Sequence, residues 1–133
     1  MSQESCPSLR VLVVEDQAIV SLGTETILMS LGHRVVATVS TGPAAVAAAA
    51  EHRPDIIFMD VELAQGTDGV EAAVEIRNRF GIPSVFFSGY ADVLDIRKWA
   101  SRAKPLAFID KSQPPHQIGE ILNEVASKLQ RES

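Results

Sequence analysis

The sequence predicts an α/β fold, a doubly wound parallel sheet of five strands with a helix after each. Three observations predict it. Five short apolar runs recur along the chain, each bounded by polar or turn residues. Each run is followed by a segment of helical character, which is the repeating βα pattern. Four of the runs are nearly continuous rather than alternating, as parallel strands are when helices cover both faces.

The first run, Arg10 to Val14, leads into a helix from about Ala18 to Leu31. Gly32 stands just past its end, where a left-handed residue closes a helix, and Gly23 weakens its middle slightly. The second run, Arg34 to Val39, is shorter on apolar content, consistent with a place nearer the sheet edge. The next helix starts after Thr41 with Pro43 in its first turn, where a missing N–H costs nothing, and continues through alanines of high helix propensity. The third run, Asp55 to Met59, is the central one. Its helix opens at Asp68, whose side chain can cap free N–H groups, with Glu71 three residues on in a capping-box arrangement. The fourth run, Pro83 to Phe87, precedes a helix of about Ala91 to Ala103, which carries Trp99 and has Asp92 near its positive end. After the fifth run, Leu106 to Ile109, the closing helix shows an apolar stripe of Ile118, Ile121, Leu122, Val125 and Leu129.

A chain of 133 residues is one domain by the usual ~100–150 residues each. Residues 1–8 read as a flexible leader and 9–130 as the domain, with nothing left over for a second. Hydrophobic residues at 46% and charged residues at 22% give the ordinary globular mix, so no metal or disulfide staple is required. Cys6 has no partner in the chain, and the start MSQESCPS lacks the basic and apolar stretches of a secretory signal. The longest wholly apolar run, Ala44 to Ala50, is far short of the ~18 residues of a membrane span. These features predict a cytoplasmic protein with no membrane partner. A formal net charge of -5 argues against direct nucleic-acid binding, which relies on Lys and Arg neutralising phosphates.

In open parallel sheets, ligands sit beyond the carboxyl ends of the strands. The residues there are Glu15 and Asp16 after the first run, Asp60 after the third, Ser88 after the fourth and Lys111 after the fifth. Any one of them alone is better explained as a helix cap or a solvated group, and Asp16 is placed to cap the first helix. All five at successive strand ends point to a site. Three close carboxylates raise each other's pKa and need an offsetting cation. Oxygen donors without histidine or thiolate suit a hard cation, and Mg²⁺ fits best. Carboxylates, a metal, an ammonium and a hydroxyl together suit phosphoryl transfer, in which a carboxylate is a competent nucleophile. Asp60 is the best-aimed nucleophile because it directly follows the central strand IIFM.

These residues resemble the receiver domains of two-component response regulators. The resemblance runs from Arg10 to about Leu129 and rests on VLVVED, IIFMD, VFFSGY and AFIDK. It implies a flavodoxin-like sheet of order 2-1-3-4-5. It also implies that Asp60 accepts a phosphoryl group from a sensor histidine kinase or a histidine phosphotransfer protein. Mg²⁺ would be held by Asp16, Asp60, the backbone carbonyl of Glu62 and, partly through water, Glu15. Ser88 and Lys111 would bind the phosphoryl oxygens, and the signal would pass to a downstream protein target or along a relay. Phe108, three positions before the lysine, occupies the place of an aromatic switch that turns inward on phosphorylation; packing as an ordinary core residue is an equal reading.

Three departures from the family pattern stand out. The loop ELAQGTDG from Asp60 to Gly69 is one residue longer than the common form and lacks its proline and methionines. Ser112 follows Lys111 where the family usually has proline, so that peptide is expected trans and the lysine is open to displacement. FFSGY is similar to the Phe-x-Thr-Gly-Tyr sequence of an atypical receiver subfamily, which predicts that Gly89 loosens the start of the fourth helix. Tyr90 then lies either near the site rim or on an exposed loop. His33, His52 and His116 have no metal-ligand spacing and are expected at surface or half-buried positions. Trp99 is either core or part of a partner-binding face.

Two further functions compete with a phosphorylation-controlled switch of no enzymatic turnover. A phosphorylation-independent receiver-like scaffold is one, although all five positions carry competent groups. An aspartyl-phosphate phosphohydrolase is the other, but it needs a second Asp two residues after the nucleophile, where this chain has Glu62.

Overall fold

The computed structural model describes residues 8–60, 69–88, 101–110 and 114–132. Five parallel strands form one sheet in the order β2-β1-β3-β4-β5. They are β1 (Arg10–Val14), β2 (Arg34–Val39), β3 (Ile56–Asp60), β4 (Ser84–Ser88) and β5 (Ala107–Asp110). The helices are α1 (Ala18–Ser30), α2 (Gly42–His52), α3 (Gly69–Phe80) and the closing helix α4 (Pro115–Glu132), with a 3₁₀ turn at Ser101–Ala103. The sequence-predicted order and fold class stand.

Alternation along each strand sends successive side chains to opposite faces, and here both faces are covered. Leu12, Val14, Ile57, Met59 and Phe86 pack with Ala45, Ala49, Val70, Ala73 and Ile76, which come from α2 and α3. Val11, Val13, Ile56, Phe58, Phe87 and Ile109 pack with Leu28 of α1 and with Ile118, Leu122 and Val125 of α4. That double burial is why the strands read as continuous apolar runs. Strand β3 is buried at every position, whereas β2, at the sheet edge, is only partly so.

The helix ends have local causes. Thr41 accepts the Ala44 N–H at 3.2 Å as the N-cap of α2, and Pro43 sits in its first turn. At the other end Arg53 is left-handed at φ 48°, and the Arg10 guanidinium donates to the carbonyls of Arg53 and His52, each at 2.7 Å. Those bonds satisfy two carbonyls that the helix leaves open. Gly32, after α1, has φ 91°, as its place in the sequence predicts.

Several boundaries and roles differ from expectation. Strands β3, β4 and β5 each begin and end one residue later than their apolar runs, because the ladder continues onto a polar residue: Asp60 pairs in register with Phe87, and Ser88 with Asp110. The N-cap of α1 is Gln17 without a side-chain bond, so Asp16 is not the cap. Glu71 makes an ion pair with Arg102 across to the 3₁₀ turn, while its expected capping-box partner Asp68 lies outside the described residues. Of the predicted fourth helix, the turn at Ser101–Ala103 is its described end; the remainder, with Trp99, lies outside the described residues, as does Asp68. His33 is buried at 5% exposure rather than at the surface, with its Nδ1 accepting from the Leu9 N–H just before β1. His116 is exposed and His52 half-buried, as expected.

Candidate functional site

The carboxyl end of the sheet brings three acids together. Asp60 is the last residue of β3 and is 5% exposed. A strand between two paired neighbours is the most rigid base a side chain can have, and β3 pairs with β1 on one side and β4 on the other. Glu15 follows β1 directly, and its N–H donates to the Val39 carbonyl at 2.9 Å, extending the β1–β2 ladder by one step. Its Oε2 accepts the Gln17 N–H at 3.2 Å, so the carboxylate is turned back over the start of α1. Asp16, between them in sequence, is half-buried. One carboxylate oxygen each from Glu15, Asp16 and Asp60 lies within 4.8 Å of the others.

Three carboxylates at this spacing repel one another. At an effective dielectric of ~20, each ionised pair at such a separation costs on the order of 3 kcal/mol, less where solvent screens Asp16. A bound cation offsets that cost. The donors are all hard oxygens, two of them buried on strand-fixed backbone, and this set fits Mg²⁺ rather than a thiolate- or imidazole-seeking metal. A carboxylate is also chemically competent as an oxygen nucleophile, and Asp60 is the one fixed at the end of a central strand.

The structure brings Glu15, Asp16 and Asp60 together, and it sets Ser88 at the end of β4, one register step beyond the partner of Asp60. Lys111 follows Asp110, the last residue of β5, but Lys111, Glu62, Gly89 and Tyr90 lie outside the described residues. Phe108 is half-buried on β5, its ring 5.6 Å from that of Phe86 at a 40° tilt. Sequence reasoning missed the backbone N–H of Gln17 as the group that orients Glu15; no sequence signal exists for it, since every non-proline residue has an N–H. It also missed the pairing of Phe108 with Phe86, which the offset of β4 and β5 makes legible only once their register is known.

Comparison with known proteins agrees with this geometry. Residues 11–123 match the family model described as response regulator receiver domain. The phyllosphere-induced regulator PhyR of Methylorubrum extorquens is 27% identical over 115 residues, covering 86% of this chain and 42% of that protein. The transcriptional regulatory protein PdtaR of Mycobacterium tuberculosis is 29% identical over 122 residues, covering 92% of this chain and 57% of that protein. This chain thus spans about half the length of these relatives. Among solved structures, the signal receiver domain of a modulated diguanylate cyclase from Desulfovibrio desulfuricans superposes with a TM-score of 0.84 at 26% identity, covering 96% of this chain and all of that one.

Proposed function

The chain belongs to the response regulator receiver domain family of two-component signalling, and from that membership we propose that it is a phosphoreceiver whose acceptor is Asp60. The observation that carries this reading is the buried Asp60 carboxylate at the end of the central strand, within 4.8 Å of Glu15 and Asp16. In the proposed reaction an Asp60 oxygen attacks the phosphorus of a phosphohistidine. The P–N bond of the donor breaks, its electron pair returns to the imidazole, which takes up a proton, and an acyl phosphate forms on Asp60.

Glu15, Asp16, Asp60 and the backbone carbonyl of Glu62 are the residues proposed to hold Mg²⁺. When bound, the metal supplies charge neutralisation between the carboxylates and the incoming phosphoryl oxygens. Ser88 is proposed to donate a hydrogen bond to one phosphoryl oxygen and Lys111 to pair with another. Fixed donors and charges of this kind provide most of the rate in phosphoryl transfer, where positioning outweighs covalent assistance. Phe108 is the proposed switch residue. Gly89 and Tyr90, in FFSGY, are proposed to set the mobility and rim of the segment that follows, as in the Phe-x-Thr-Gly-Tyr subfamily that this motif resembles.

The proposed donor is a sensor histidine kinase or a histidine phosphotransfer protein, and the output is a changed contact with a downstream protein target. A surface beside the pocket supports a protein donor: α1 begins two residues after Asp16 and exposes Ile19 at 86%, Leu22 at 63% and Met29 at 64%. Three large apolar side chains on one open helix face suit a helical partner better than water. No helix among the described residues is long and apolar enough to cross a membrane. A panel of phosphorylated histidine kinases tests the function, followed on phosphate-affinity gels. Transfer to the wild type and none to Asp60→Asn is the expected pattern; transfer to Asp60→Asn at the wild-type rate would overturn it.

A further inference from the structure

The amino end of the sheet, opposite the acidic cluster, gathers cations. Arg10 at the start of β1 and Arg34 at the start of β2 are register partners, and partners on parallel strands point to the same face. Arg10 reaches the end of α2, so that face is the one α2 covers. With Val35, Val36 and His52 the two arginines line an open cavity of about 360 Å³, and among the described residues no carboxylate joins them.

Like charges directly opposite on neighbouring strands repel. Arg10 is offset by donating to the carbonyls of His52 and Arg53, which covers the negative pole of α2. Arg34 has no such outlet: its exposed guanidinium makes no hydrogen bond or ion pair among the described residues, and neither does the half-buried imidazole of His52. Neighbouring groups do not supply one. Asp55 accepts the Arg10 N–H at 2.8 Å, but it precedes β3, on the side of β1 away from β2. Arg53 lies over the Phe80 ring, 5.3 Å from its centroid. An irregularity in the β1–β2 ladder leaves Val36 out of register at the cavity wall, and bulges at sheet edges commonly re-aim groups beside binding sites.

We propose that this cavity is an anion site that takes a phosphate group, held by the guanidinium of Arg34 with Arg10 and His52 beside it. A guanidinium presents a planar fork that matches phosphate oxygens in pairs. Phosphate suits the set better than a carboxylate, because a phosphomonoester carries about −1.5 to −2 charge at neutral pH and three acceptor oxygens. The cavity falls in the ~300–1,000 Å³ range of small-molecule sites, so free phosphate and a small phosphate ester both fit. Nucleic acid does not, since the net charge of -5 repels a polyanion beyond this one spot. The site lies a strand's length, roughly 16 Å, from Glu15 and does not depend on the phosphoreceiver reading.

The test uses the full chain with ¹⁵N-labelled arginine, at fixed ionic strength and without Mg²⁺, so that the acidic cluster recruits no phosphate. Inorganic phosphate and glycerol phosphate are the probes, each titrated in exchange for chloride. The Arg34 Nε–H resonance, assigned through Arg34→Gln, should move saturably with either probe. By calorimetry, Arg34→Gln should bind both about tenfold more weakly or worse, the loss of a charge-assisted hydrogen bond. Arg34 is exposed, so this variant should fold as the wild type does. Arg102→Gln, which changes an exposed arginine elsewhere, should leave the affinity unchanged. Tighter binding of glycerol phosphate assigns the site to a phosphorylated small molecule, and equal or weaker binding assigns it to free phosphate; both uphold the anion site. A resonance that drifts without saturating, equal affinity in Arg34→Gln, or equal weakening in Arg102→Gln overturns the proposal.

Discussion

The Leu9 backbone N–H donates to Nδ1 of His33 at 3.1 Å, joining residues 24 positions apart where the imidazole is 5% exposed. This bond fixes the tautomer, because the accepting nitrogen cannot carry a proton. The Ser8 hydroxyl donates to the Gly32 carbonyl at 2.7 Å and the Arg34 N–H to the Leu9 carbonyl at 2.8 Å, so the start of β1 is held on the turn after α1 from three sides.

Burial pushes His33 below its ordinary pKa of 6.5. The unfolded chain therefore binds a proton more readily than the folded one in the window below that value. Stability from this group is full above the unfolded pKa and is lost as pH falls, by up to ~1.4 kcal/mol per pH unit. Urea midpoints at a mildly alkaline and a mildly acidic pH should show the loss in the wild type. His33→Asn, which keeps an acceptor but does not titrate, should lose less on acidification. Equal pH dependence in the two proteins would remove His33 as the cause.

Gly23 and Gly32 respond oppositely to alanine. A Cβ at Gly23 meets nothing within 4 Å, and the residue lies inside α1, so Gly23→Ala should raise stability by roughly 0.5–1 kcal/mol. At Gly32 there is equal space but φ is 91°, a conformation that alanine resists, and Gly32→Ala should lower stability by ~1 kcal/mol or more. Chemical denaturation of the two variants decides; a shift of the same sign in both would contradict the backbone argument.

Mutual repulsion in the acidic cluster makes a prediction about metal. Mg²⁺ should raise the thermal midpoint of the wild type, by ~2.7 kcal/mol of stability at a hundredfold excess over its dissociation constant. Asp16→Asn should be more stable than the wild type without metal, since one like charge is gone, and should lose most of the Mg²⁺ effect. A wild-type midpoint that ignores Mg²⁺ would count against the metal assignment.

The exposed α1 stripe separates protein donors from small ones. Ile19→Lys changes a side chain that is 86% exposed, so stability should move by no more than about 0.5 kcal/mol. Transfer from a cognate kinase should slow by about tenfold, whereas labelling by a small phosphodonor should be unchanged, because in the proposed function only a protein donor would cover this face. Equal slowing with both donors would place Ile19 in the chemistry instead of the contact.

The parts of the fold that were legible in the sequence are those set by burial on both faces. Runs such as VLVV and IIFM report that directly, and the carboxyl ends of those runs located the acidic cluster. What stayed hidden depends on distant partners. The strands run one residue further than their apolar runs because Asp60 and Ser88 pair by backbone, which side-chain hydropathy does not record. The ion pair of Glu71 with Arg102 joins residues 31 positions apart, which local spacing does not record. His33 follows the turn after α1, and its buried Nδ1 accepts from the Leu9 N–H, 24 residues earlier, a contact that local hydropathy does not record.

Intact-mass measurement reads phosphorylation of Asp60 without any partner protein. The purified protein, incubated with a small acyl phosphate, should gain the mass of one phosphoryl group only when Mg²⁺ is present. Hydroxylamine should remove it, as it does an acyl phosphate, and Asp60→Asn should gain nothing under the same conditions. A wild-type protein that gains no mass in saturating Mg²⁺, or an Asp60→Asn protein that gains it equally, would mean that Asp60 is not the phosphoacceptor.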